Sequence, residues 1–150
     1  MTAARFAAAY AALTAAHEAA DHWVQINDQA LAKGKPGAEG VIACATHVAT
    51  YTATQAATLY AVQRATGMRL SGRRVALGLA VSAATHYIAD RQGGHWQDEP
   101  PRGIVRLASA TGHAGWLQND PGAGYLMDQS WHKWWTMIAA LIAATGDGQP

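Results

Sequence analysis

Residues 39–66 read EGVIACATHVATYTATQAATLYAVQRAT, closed by Gly67. His47, Tyr51 and Gln55 follow one another at steps of four inside an Ala/Thr-rich run. Steps of four put side chains on one face of a helix. The period-two alternation of a half-buried strand is absent here and from the rest of the chain. Working outward, the Gly34-Lys35-Pro36-Gly37 breaker closes a helix, straight or kinked, over about residues 3–33. Ser71 is placed to cap a third helix that runs to about Asp90. Residues 91–127 change texture, with Gly93-Gly94, Pro100-Pro101 and five further glycines, and predict loops with one short helix near Arg102–Ala110. A last helix is expected from about Leu126 to Thr145, with a fraying Gly-Asp-Gly-Gln-Pro tail. The expected architecture is all-α: one domain over 1–150, four main helices, and a long Gly/Pro-rich connection acting as a lid before the last.

Composition agrees. The chain has 150 residues, half of them hydrophobic and 14% charged, with 35 alanines. A disordered chain would need the opposite balance. One cysteine, Cys44, excludes a disulfide scaffold and fits a reducing compartment. Set in an apolar run, it reads as a small buried filler. A net charge of +1 and scattered basic residues give no nucleic-acid footprint. The N-terminal Ala-rich stretch runs without a turn into His17, Glu18 and Asp21, so it reads as mature structure, not as a signal peptide. Residues 75–89 are too short to span a bilayer, and residues 41–62 enclose His47 and Gln55. Mean hydropathy is −0.07. The expectation is a cytoplasmic protein, with membrane association as the alternative.

The histidines and aspartates carry the functional reading. His17/Asp21, His86/Asp90 and Asp128/His132 are three i, i+4 pairs on three different helices, and chance would place well under one. Gln25 and Asp28 continue the His17/Asp21 face if that helix is regular. Asp21 stands 12 residues before Lys33 and His47 eight after Glu39. In antiparallel neighbours this is a level difference of roughly 6 Å. His47 lies 19 residues before Thr66, and Asp90 lies 19 after Ser71, so those two levels match. The three helices can therefore bring His17, Asp21, His47, His86 and Asp90 to one end of the bundle. Asp128 and His132 return to that end from the connection.

Imidazole and carboxylate donors suit zinc first, with iron or manganese as further possibilities, and the lack of thiolates argues against a zinc knuckle. Seven donors (His17, Asp21, His47, His86, Asp90, Asp128 and His132) are enough for two ions, or for one with supporting partners. A metal with an open position would activate water for hydrolysis, with Asp21, His86 and Asp128 as catalytic candidates. Gln25, Tyr51, Arg91 and Trp96 are candidate substrate contacts. Arg91, Arg102 and Arg106 could clamp an anion, since guanidinium matches phosphate. Trp131, Trp134 and Trp135 read as core or an interfacial belt, and Trp116 as a ligand contact. His17-Glu18-Ala-Ala-Asp21-His22 displaces the second histidine of a zincin helix by one, so it does not read as a protease.

The ordered series His17, Asp21, Gln25, then Lys33 before a loop, then His47 and Tyr51, then His86-Tyr-Ile-Ala-Asp90, then Asp128-Gln-Ser-Trp-His132 resembles the bacterial and phage helical family called domain of unknown function 3307. The resemblance covers about Tyr10 to Leu141. It implies importance for the seven His and Asp residues and supplies no substrate. His86-Tyr-Ile-Ala-Asp90 is more loosely similar to an element of membrane-associated metal-dependent hydrolases and of the all-helical zinc phospholipase and nuclease fold. The further ligand pattern of that fold is missing, and its metal site does not carry over.

The leading expectation is a metal-dependent hydrolase acting on a phosphoester. One alternative is a helical interaction or membrane-associated module whose His/Asp pairs only fix helix registry. Another is an enzyme using His and Asp for acid–base work without metal.

Overall fold

The computed structural model describes residues 2–145. Among them there are α-helical and π-helical segments and no strand. α1 covers Ala3–Ala19 and passes into a π-helical turn, Ala20–Val24; α2 covers Asn27–Ala32. α3 is Gly37–Thr66, α4 Gly72–Asp90, α5 Gly103–Ala108, α6 Ala114–Asn119 and α7 Ala123–Ala144. A second π turn, Ser109–His113, joins α5 to α6. The expected tail, 146–150, lies outside the described residues.

The long helices α1, α3, α4 and α7 form a ring in which each packs on the next: α1 on α3, α3 on α4, α4 on α7, and α7 back on α1. One end of the ring is apolar. Ala9, Ala12, Leu13, Leu59, Ala139 and Ala140 are buried there, flanked by Phe6, Tyr10, Val62, Val75 and Leu79. Alanine keeps these helices close. The contact between α4 and α7 is tightest at Gly78, where an added Cβ would stand 2.6 Å from the Ala139 carbonyl oxygen. The other end holds the C-terminal ends of α1 and α4 and the N-terminal halves of α3 and α7, and there the buried side chains are polar.

Several boundaries differ from expectation. The first helix is not continuous to Lys33. Its α geometry stops at Ala19, the π turn inserts extra backbone, and Gln25 and Ile26 are extended. Asp28 is consequently exposed and off the His17/Asp21 face. α3 starts at Gly37 and ends at Gly67, whose φ of 69° is the left-handed cap that glycine tolerates. Ser71 precedes α4, but its hydroxyl makes no capping bond. α7 begins at Ala123 rather than near Leu126. The connection is not loop with a single helix. It folds as α5, a π turn and α6, with its own small core of Val105, Ala108, Leu117 and Ala123 packed by Trp96 and Met127. Among the described residues, no helix is long and apolar enough to cross a membrane.

Candidate metal centre

The polar end collects all seven His and Asp candidates. His17 ends α1, and the π turn presents Asp21 one turn further on, with His17 Nδ1 3.4 Å from Asp21 Oδ2. π turns recur where a helix must re-aim a functional side chain. On α3 and α4, His47 Nε2 and His86 Nε2 are 3.0 Å apart. Two carboxylate oxygens flank that pair. Asp21 Oδ1 is 3.4 Å from His47 Nε2 and 3.5 Å from His86 Nε2. Asp90 Oδ2 is 3.3 Å from each of them. From α7, His132 Nε2 lies 3.3 Å from Asp128 Oδ2 and 3.7 Å from Asp90 Oδ1.

Three overlapping groups therefore bring donor atoms within 4.8 Å of one another: His17, Asp21 and His86; His47, His86 and Asp90; Asp90, Asp128 and His132. These buried His and Asp groups could hold a metal ion. Four donors on a tetrahedral ion with bonds of about 2.0–2.1 Å stand about 3.3–3.4 Å apart. The five separations among His47, His86, Asp21 and Asp90 given above run from 3.0 to 3.5 Å. Asp21 Oδ1 and Asp90 Oδ2 are buried without a hydrogen-bond partner, as is His132 Nε2. Orphaned buried acceptors are costly, and a cation would satisfy them.

The charge balance points the same way. Among the described residues, Lys33 is the one lysine or arginine that pairs with any of the three clustered carboxylates, its Nζ 2.9 Å from Asp90 Oδ1. With neutral rings, two negative charges remain in excess. Burial keeps His17 and His86 below the ordinary imidazole pKa, against the pull of the nearby carboxylates. Burial also opposes the charged forms of Asp21 and Asp90. The contact to His47 and the charges of His86 and His17 overcome this at Asp21; the contact to His86, with the charges of His86, Lys33 and His132, overcomes it at Asp90, and both carboxyls fall below their usual range. His132 is the exception among the rings. Burial opposes its imidazolium, but the Asp128 carboxylate beside it and the charges of Asp90 and Asp21 raise it.

The packing around the donors is fixed from behind. The Tyr51 ring stacks on His86 at 3.8 Å. Its hydroxyl is within 3.0 Å of Ser82 Oγ and accepts from Gln55 Nε2 at 2.8 Å. Tyr51 is 1% exposed, so it supports the ring and does not line a surface a substrate could reach. His17 Nε2 is 3.3 Å from Gln129 Oε1. The side chains of His47, His86 and Asp90 are at most 1% exposed, whereas Asp21 is 9% and Asp128 21% exposed, so the cluster is accessible from the Asp21/Asp128 side.

The other candidates lie further out. Gln25 ends the π turn, half-buried, its Nε2 without a partner. The Arg91 guanidinium donates to the Lys33 carbonyl and, with Gln92 and Arg102, lines a cavity of about 290 Å³. Trp96 lines a different surface, an apolar groove of about 400 Å³ with Leu107, Met127, Trp131 and Trp134. Trp134 is thus 62% exposed rather than core. Trp116 is half-exposed and donates to Asp120 Oδ2.

Lys33, Ser82 and Gln129 were absent from the candidate set. Ser82 had a signal, since it precedes His86 and Asp90 at the same step of four. Lys33 figured only in the ordered series that carries the resemblance, without a role, and Gln129 had no local signal, because their partners are distant in the chain. Comparison with protein-family models, curated proteins and solved structures found no match.

Proposed function

We propose that the polar end of the bundle binds a divalent cation, zinc before iron or manganese, and that the chain is a metal-dependent hydrolase acting on a phosphoester. The observation that carries this reading is the His47, His86 and Asp90 group, its donor atoms 3.0–3.3 Å apart, with Asp21 Oδ1 3.4–3.5 Å from both rings and the Asp21 and Asp90 oxygens orphaned. A cation bound there supplies a Lewis acid and a water acidic enough to ionise near neutral pH. The chain's own residues hold that arrangement. His17 orients Asp21, Tyr51 backs His86, and Lys33 fixes one edge of Asp90. Of the three catalytic candidates, Asp21 and His86 take ligand roles. Asp128, the most exposed member of the cluster, is the carboxylate that water and substrate meet first. A phosphoester is favoured by Arg91 and Arg102, which line one cavity past the C-terminal end of α4, since guanidinium matches the geometry of a phosphate.

The depth of the donors favours a second reading, an ion that only holds the helices together, as in closed structural sites. One preparation separates the two. Untagged protein, purified without chelator or nickel resin, is assayed by elemental mass spectrometry and against p-nitrophenyl phosphate and its bis ester. Bound metal with chelator-sensitive hydrolysis supports the hydrolase. Metal without turnover selects the structural ion. Less than about 0.1 equivalent, with no zinc-dependent rise in melting temperature, overturns both.

A further inference from the structure

We infer that the site takes two divalent ions bridged by Asp90, the second held by Asp90 Oδ1, Asp128 and His132; this rests on the metal reading above. The first observation is how Asp90 divides its oxygens. Oδ2 faces His47 Nε2 and His86 Nε2, both at 3.3 Å. Oδ1 faces the α7 donors, 3.7 Å from His132 Nε2. Lys33 Nζ also donates to Oδ1 at 2.9 Å and so fixes the plane of the carboxylate between the two donor sets. A carboxylate held this way is suited to bridge ions about 3.5–4 Å apart.

The second observation is His132 itself. It is 3% exposed, and its Nε2 makes no hydrogen bond although Asp128 Oδ2 is 3.3 Å away. A buried ring nitrogen left without a partner calls for one, and a cation beside Asp128 would supply it. Asp90, Asp128 and His132 form a three-donor group separate from the His47/His86 edge. Its carboxylate Asp128 is 21% exposed, so this ion keeps a side open to water. Three protein donors with an open position is the pattern of a catalytic ion.

The test is stoichiometry on the full chain stripped with chelator and titrated with zinc, then with manganese(II) for electron paramagnetic resonance. Two equivalents per chain and an exchange-coupled manganese pair are expected. The Asp128→Asn/His132→Asn double variant should retain one equivalent, lose the coupled signal and lose any phosphoester hydrolysis. One equivalent in the unaltered chain overturns the second ion and leaves the single-ion reading standing. Two uncoupled ions overturn the Asp90 bridge. No binding overturns both. The manganese spectrum of the unaltered chain decides the question even where the double variant does not fold.

Discussion

His86→Asn removes one ring nitrogen from the donor set and keeps a polar side chain on α4. A ligand present at about 100 times its dissociation constant stabilises the native state by about 2.7 kcal/mol. An unfolding entropy of about 2.1 cal/mol/K per residue makes each kcal/mol worth about 3 °C in a chain of this length. Zinc should therefore raise the melting temperature of the unaltered protein by about 8 °C over the chelated state. His86 also stacks on Tyr51 at 3.8 Å and packs 4.1 Å from His132, so its loss costs packing energy with or without metal. The informative quantity is the difference between differences. Scanning fluorimetry with zinc and with chelator on both proteins should give a zinc-dependent shift that falls below about 2 °C in the variant. An equal shift in both would refute the placement of His86 in the inner shell. No shift in either would refute the centre.

Lys33→Met should destabilise the chelated protein by about 3 kcal/mol, since it strands the Asp90 carboxylate in a buried position. Zinc should recover much of that loss in chemical denaturation, and equal losses with and without zinc would contradict the charge argument. Gly78→Ala should cost about 1–3 kcal/mol, because the new methyl meets the Ala139 carbonyl; an unchanged melting temperature would show that α4 and α7 can part freely. Burial pushes the Cys44 thiol up to about 12, so iodoacetamide at pH 8 should label it only after denaturation. In the chelated protein, His17 and His86 sit below the ordinary imidazole value of 6.5, so the unfolded chain binds their protons first and stability falls as pH drops below about 6.5. The depressed carboxyls of Asp21 and Asp90 add a further loss in more acid solution. His132, raised, has the opposite sign, its contribution fading as pH rises through its folded value. A melting temperature flat from pH 7 to about 5 would contradict burial of neutral rings.

α3 was legible because it is bounded by local devices, Pro36 and Gly37 before it and Gly67 after it. The meeting of the His/Asp pairs was legible because steps of four and rise per residue are properties of the helix alone. The π turn was not. Ala20-Asp21-His22-Trp23-Val24 contains no glycine or proline, and Trp23 is 89% exposed, so no local breaker or buried anchor marks the change of period. Gln25 and Asp28 were misplaced for that reason. The 91–127 segment was misread for a different one. Its helices α5 and α6 have six residues each, too short to show a period, and their core is made with Trp96 and Met127 from outside them. Lys33 escaped because an ion pair with a residue 57 positions away leaves no local pattern.

Alanine content and site geometry are parts of one design. Interaxial distance in a bundle is set by the side chains at the contact, and small ones permit the closest approach. Here Ala9, Ala12, Ala139 and Ala140 at one end, and Gly78 against Ala139, set the spacing for straight helices that run on to the other end. At that spacing, side chains as short as aspartate and histidine from three helices and the π turn reach to within 3.7 Å of one another. Larger residues in the apolar end would spread the ring, and the donors would no longer meet. A composition that reads as simple helix-forming filler is what lets Asp90 be shared by His47, His86, His132 and Lys33 at once.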